Sequence, residues 1–255
     1  MKLGTAKGIL VNEYLQTSHP DIYAVGDAIE FKNPITKKSM STFLAGPANK
    51  QGRICANNIV NNNSSTYNGA INTAIVKLFD LTVGTTGMAA KHLKGAAIPH
   101  LVSTTRSSSH ASYYPNAKQL TIQITFSPDT QQLLGAQVIG EEGADKRLDI
   151  LATLIKNKGT IYDLMEVEHA YAPPYSSAKD PVNMAGFVAD NIINKTLRVE
   201  QWDIFETKFR QTPNAILIDV RNPDEFAGGA IEGAINIPID ILRSKISELQ
   251  KDAPI

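Results

Sequence analysis

Two groups of residues carry the chemistry this chain can offer. The first is Gly26-Asp27, at the end of the apolar run Ile22-Tyr23-Ala24-Val25. A carboxylate there can accept a hydrogen bond from a sugar-like hydroxyl while the glycine lets the backbone come close. FAD, with its ribityl hydroxyls, is the ligand this suits; the plainer alternative is that Gly26-Asp27 only closes a turn. Gly46, Pro47 and Ala48 open a helix downstream. The unpaired N–H groups and dipole of its first turn would stabilise negative charge on a reduced flavin ring, though Pro47 is also simply good helix design. The second group is the tyrosines in Ser109-His110-Ala111-Ser112-Tyr113-Tyr114-Pro115 and Tyr171-Ala172-Pro173-Pro174-Tyr175. A phenol on a proline-held loop can donate a hydrogen bond or a proton to a ligand. Paired tyrosines packing a dimer core with their hydroxyls at its rim are the competing reading.

The elements that must hold these residues follow from periodicity. Residues 1–60 read as short strands, the Asp27 turn, a loop around Asn33-Pro34 and a helix over 47–60. The polar tract Asn61-Asn62-Asn63-Ser64-Ser65 reads as a linker. Residues 73–167 read as strand (73–80), helix (87–93), three strands (98–105, 120–127 and 132–139) and helix (144–158). Thr121-Ile122-Gln123-Ile124-Thr125-Phe126 alternates with period two, as a half-buried antiparallel strand does. Leu148, Leu151 and Ile155 share one helical face that can lie on that sheet. The paired prolines rule out a helix at residues 171–175, and a helix over 181–194 closes the unit. A new pattern then starts: a helix near 202–209, a buried strand over 215–220, a turn at Asn222-Pro223 and a helix over 240–250.

Composition narrows the function classes. The 255 residues suit about two domains, and the 42% hydrophobic fraction is that of a globular protein. The 25 basic and 25 acidic side chains balance without a basic stripe, which argues against nucleic acid or an anionic membrane as partner. No apolar run reaches the ~18 residues needed to span a bilayer and no signal-peptide layout opens the chain, so a cytoplasmic location is the default expectation. Cys55 is the one cysteine, so no intrachain disulfide or CxxC pair forms; it reads as a small buried hydrophobe. The five histidines lack metal-ligand spacing.

Three segments together resemble one family: residues 17–28 with 44–53, residues 109–115, and residues 171–180 with the helix behind them. The chain resembles, over residues 1–195, the coenzyme A-disulfide reductase group of the FAD-dependent pyridine nucleotide-disulfide oxidoreductases, in the subtype with a C-terminal rhodanese domain. Ile216-Leu217-Ile218-Asp219-Val220-Arg221, Glu225-Phe226 and Gly233-Ala234-Ile235-Asn236-Ile237-Pro238 look like the first half of that rhodanese domain, with Ala230 where family members often have histidine. Asp219 and Arg221 are expected to form a structural ion pair.

The resemblance implies a mixed α/β and α+β fold. Residues 1–65 would be the end of an FAD-binding domain, 66–195 an α+β dimerisation domain with an antiparallel sheet, and 196–255 a partial rhodanese-like domain. It implies FAD, with NADH or NADPH as reductant in the parent enzyme, a homodimer, and coenzyme A disulfide, a persulfide or a polysulfide as substrate. Tyr113 and Tyr171 match the family's tyrosines that reach the flavin and reactive cysteine of the other subunit. No GxGxxG occurs, and the family's active cysteine has no counterpart. The expectation is a C-terminal fragment that does not turn over alone. An NAD(P)H oxidase or peroxidase of the same superfamily and a noncatalytic dimerisation module are the alternatives.

Overall fold

The computed structural model describes residues 1–250 and 253–254, with Asp203 described by its backbone alone. The chain divides into two compact units, Met1–Arg198 and Val199–Ile255.

The first unit starts with a small three-stranded sheet. β1 (Ile9–Leu10) runs parallel to β2 (Ile29–Lys32), which pairs antiparallel with β3 (Ser39–Met40). Ile29 and Phe31 of β2 join Leu15 and Ala70 in a local core, onto which α1 (Ala45–Val60) lays Ile54 and Cys55. The apolar run before Gly26 forms no buried strand. It makes one bridge, Gln16 to Tyr23, and then a 3-10 turn over Gly26–Ala28. Gly26 has a φ of +75°, a left-handed conformation that ends extended structure. The buried strand is the next segment, β2.

The tract after α1 is not a loose linker either. Asn58 is buried; its side chain accepts from the Ser65 N–H at 2.8 Å and donates to the carbonyls of Tyr14 and Ser65, tying the tract back to the helix.

The body of the unit is a five-stranded sheet built from β4 (Ala74–Leu78), β5 (Leu81–Gly87), β6 (Leu101–Ser108), β7 (Gln119–Phe126) and β8 (Leu133–Gly140). Its order is β4-β5-β8-β7-β6 and every neighbouring pair is antiparallel. Period two holds along β7: Leu120, Ile122, Ile124 and Phe126 are buried. Leu148, Leu151 and Ile155 of α3 (Ala144–Lys156) and Val182, Ala185 and Ala189 of α5 (Pro181–Ile193) complete that core.

β5 was hidden in the sequence by Gly84 and Gly87, which lower strand propensity. Gly84 is there for packing: a Cβ on it would stand 2.6 Å from Leu148 Cδ2. The helix expected at 87–93 consequently starts later, as α2 (Ala90–Gly95), and α4 (Ile161–Glu166), capped reciprocally by Thr160 and Asp163, was not anticipated.

In the second unit, α6 (Trp202–Gln211) stacks Trp202, Phe205 and Phe209 along one face. The expected strand over 215–220 shrinks to β9 (Ile218–Asp219), parallel to β10 (Ile235–Asn236). Asn222-Pro223 does not make a simple turn but starts α7 (Pro223–Ala227), with Asn222 as N-cap and Pro223 in the first helical turn. The last helix, α8 (Ile239–Lys245), gives way to a 3-10 turn over Ile246–Glu248. Asp219 and Arg221 form the anticipated ion pair at 2.6 Å. Among the described residues no helix is long and apolar enough to cross a membrane.

Candidate functional site

Tyr113 and Tyr171 lie 58 residues apart in sequence, yet their hydroxyls meet at 3.3 Å. Both rings are solvent-accessible, 76% and 48% exposed, so the hydroxyls can also reach a ligand. The hydrogen bond to Tyr171 pushes the Tyr113 phenol above its ordinary pKa, with some help from burial. Tyr113 therefore stays protonated and able to donate well past neutral pH. Their neighbours do other work: Tyr114 packs edge-on against His110, and Tyr175 is exposed.

The loops that carry the pair are fixed from below by a buried polar network. Arg147, 1% exposed on α3, spreads its guanidinium over both loops. Its Nη2 donates to the Ser109 carbonyl at 2.8 Å and to Asp180 Oδ2 at 2.7 Å; its Nε also faces the Asp180 carboxylate, at 3.2 Å. Nη1 donates to the Gly143 carbonyl. Gly143 has a φ of +70°, and a side chain there would collide with this guanidinium.

Asp180 is fully buried at the N-cap of α5, where its carboxylate accepts from the Val182 N–H and from the Ser176 hydroxyl. Burial pushes its carboxyl upward, but the hydrogen bonds from Arg147 and Ser176 outweigh that and hold it below the usual range. A backbone bond from the Ala111 N–H to the Ser176 carbonyl, 3.0 Å, joins the two loops directly. Asn183 completes the frame, accepting from the Asp180 N–H and donating to the carbonyls of Leu164 and Val167.

His169, two residues before Tyr171, has its side chain buried beside this network. Its Nε2 lies 3.8 Å from Asp180 Oδ1, beyond hydrogen-bond reach, and has no partner among the described residues. Burial pushes its pKa down, while the Asp180 charge pulls the other way.

The second group of predicted residues forms a separate locus. The Gly26 N–H donates to the side chain of Gln51 at 2.6 Å, which seats the Gly26–Ala28 turn on α1; a Cβ on Gly26 would be 4.0 Å from that of Ala48. Asp27 is exposed and makes no hydrogen bond among the described residues. At the start of α1 no side chain caps the helix and no acidic residue sits in the first turn, so among the described residues the N–H groups of Ala45 and Gly46 have no partner and face outward for a ligand, Pro47 having none. Gln51 is fully buried, and its Nε2 has no partner among the described residues. These groups fit the polyol and ring-edge contacts of FAD. With no GxGxxG in the chain, they fit only that part of it.

Cys55 is half-buried on α1, and burial pushes its thiol up, against the thiolate character that a redox cysteine needs. No hydrogen bond among the described residues links the Asp27 turn to the tyrosine pair.

Sequence reasoning named the tyrosines but missed Arg147, Ser176, Asp180, His169 and Gln51. One signal was available: Asp180-Pro181-Val182-Asn183 reads as an N-cap, a proline in the first turn and a capping-box partner.

Coenzyme A disulfide reductase of Staphylococcus epidermidis is 36% identical over 181 residues, 71% of this chain and 41% of that protein. The crystal structure of reduced Bacillus anthracis CoADR-RHD superposes with a TM-score of 0.93 at 46% identity, covering 99% of this chain and 45% of that one. The NAD-dependent persulfide reductase from A. fulgidus gives 0.89 at 34% identity, over 98% and 45%. The chain thus spans less than half the length of these relatives. Residues 73–181 match the pyridine nucleotide-disulphide oxidoreductase dimerisation domain and residues 203–255 the rhodanese-like domain, so the chain carries one domain of each type.

Proposed function

We propose that this chain forms the thiol-leaving-group side of an FAD-dependent NAD(P)H:disulfide oxidoreductase acting on coenzyme A disulfide, a persulfide or a polysulfide. The observation that carries this reading is the contact between Tyr113 and Tyr171, two exposed phenols brought together on loops that a buried ion pair fixes. When a disulfide is reduced, one sulfur departs as a thiolate. A phenol beside it donates a hydrogen bond and then its proton.

In this reading residues 1–65 end an FAD-binding domain, and Asp27, Gly26 and the opening turn of α1 (Gly46, Pro47, Ala48) hold the ribityl chain and ring edge. FAD, when bound, supplies the electron relay between the nicotinamide and the thiol. Residues 66–195 form a homodimerisation domain, which the exposed apolar side chains Ile75, Val76, Leu78 and Phe79 on and beside β4 support. Residues 196–255 form a rhodanese-like unit. The setting we assign is the cytoplasm. With neither GxGxxG nor an activated thiol in these residues, this chain by itself does not consume NAD(P)H.

The test has two readouts. After dialysis against excess FAD, the purified chain should retain a visible flavin spectrum that Asp27→Ala weakens; a colourless protein would overturn the FAD assignment for this chain. Coenzyme A thiolate should bind the parent about tenfold more tightly than Tyr113→Phe, the effect of about one charge-assisted hydrogen bond. Equal affinities would remove the leaving-group role.

A further inference from the structure

The buried network under the tyrosines does more than the fold needs. A helix N-cap is served by any short polar side chain, and a core position on α3 by leucine. Asp180 and Arg147 instead spend two desolvated charges on this spot, a choice that apolar side chains usually match or exceed in stability. What the charges add is geometry. A planar guanidinium has donors pointing in fixed directions, and here one nitrogen, Nη2, holds the Ser109 carbonyl and the Asp180 carboxylate at once. Ser109 starts the loop that carries Tyr113, and Asp180 ends the loop that carries Tyr171. Ser176, four residues after Ala172, donates its hydroxyl to Asp180 and accepts the Ala111 N–H on its carbonyl.

We propose that Arg147 and Asp180 are positioning residues that set the contact between the Tyr113 and Tyr171 hydroxyls by clamping both loops to one rigid ion pair. The proposal deepens the proton-donating reading of the tyrosine pair, but its test reads the pair's geometry in this chain without any substrate. A pair that is correctly clamped yet binds no thiolate would refute the earlier reading and leave this one standing. The raised pKa of Tyr113, which comes chiefly from its bond to Tyr171, supplies the readout. Asp180, held below the usual carboxylate range, stays ionised throughout the range in which phenols titrate, so the clamp persists during the measurement. His169, a further titratable group beside Asp180, is neutral there.

The full chain is labelled with ¹³Cζ-tyrosine and titrated by NMR, with Tyr113→Phe used to assign the Tyr113 signal. Tyr171→Phe defines the midpoint of Tyr113 without its partner. Arg147→Lys keeps a buried cation that can pair with Asp180, but its single nitrogen lacks the fork that spans both loops. The expected result is an Arg147→Lys chain with the parent's circular dichroism in which the Tyr113 midpoint falls to the Tyr171→Phe value. A midpoint that stays at the parent value would overturn the proposal. Where Arg147→Lys fails to fold, Ser176→Ala serves, because it deletes one strut of the clamp and leaves the ion pair. The Tyr113 midpoint should move part of the way toward the Tyr171→Phe value, and an unmoved midpoint in that variant would overturn the proposal equally.

Discussion

Asp180→Asn isolates the charge of the clamp from its shape. Asparagine is as good an N-cap as aspartate, and its Oδ1 can still accept the Val182 N–H that Asp180 accepts at 3.0 Å. What is lost is the negative charge facing Arg147, whose side chain is 1% exposed. Breaking a buried pair by removing one partner costs about 3–5 kcal/mol, because the surviving charge stays desolvated. Arg147 keeps the carbonyls of Ser109 and Gly143, so the lower end, about 3 kcal/mol, applies. At a urea dependence of about 3 kcal/mol/M, this moves the unfolding midpoint down by about 1 M. Far-UV circular dichroism of the full chain follows the loss. Fluorescence of Trp202, the only tryptophan, reports on the Val199–Ile255 unit and shows whether the change is confined to the first. The pH dependence gives a second check. The folded Asp180 carboxyl is held below its ordinary pKa, so its contribution is present above the usual carboxylate range and is lost as pH falls through the lowered folded value. The gap between parent and variant should be constant from neutral pH down to that range and close only below it. A midpoint shift under about 0.3 M at neutral pH would refute the argument, since the pair would then be contributing no more than an exposed one.

Three further outcomes follow from the same structure. Leu151→Ala, at a fully buried position of α3, should lose about 2–5 kcal/mol in urea unfolding, with the larger value if α3 cannot settle onto the sheet. Gly135→Ala places a methyl against the Met88 backbone across β5 and β8, where no side chain can swing away; a loss of about 1–3 kcal/mol is expected, and a neutral result would mean that the strands separate freely. His169 has a folded pKa below its unfolded one, so the unfolded chain takes up the proton first and stability falls as pH drops below the ordinary histidine value. His169→Gln should flatten that fall between about pH 7 and pH 5, and parallel pH profiles for the two chains would show that burial of His169 is not what lowers its affinity for the proton.

How far the sequence could be read depended on the span over which each feature is decided. The β7 alternation and the apolar face of α3 are local patterns with one buried side, and both stand in the structure as their periods require. β5 and the turn after Val25 were not legible for one reason, which is that each is set by a glycine whose partner lies elsewhere in the chain. Gly84 is a packing gap cut for Leu148, 64 positions away, and Gly26 is a left-handed stop set by its seat on α1. Neither neighbour is visible in the local string. Arg147 is the extreme case. Inside Asp145-Lys146-Arg147 it looks like one more solvated charge, and only the return of the chain 33 residues later, with Asp180 at a helix cap, makes it the most deeply buried cation of the site. The tyrosines fall between these limits. Their type and their proline-held loops were legible, but the 3.3 Å contact is produced by the clamp beneath them, not by either loop. A site of this kind shows its reacting groups to sequence reading and conceals its positioning groups. The first must be of a special chemical type, whereas the second are ordinary residues made special by a distant partner.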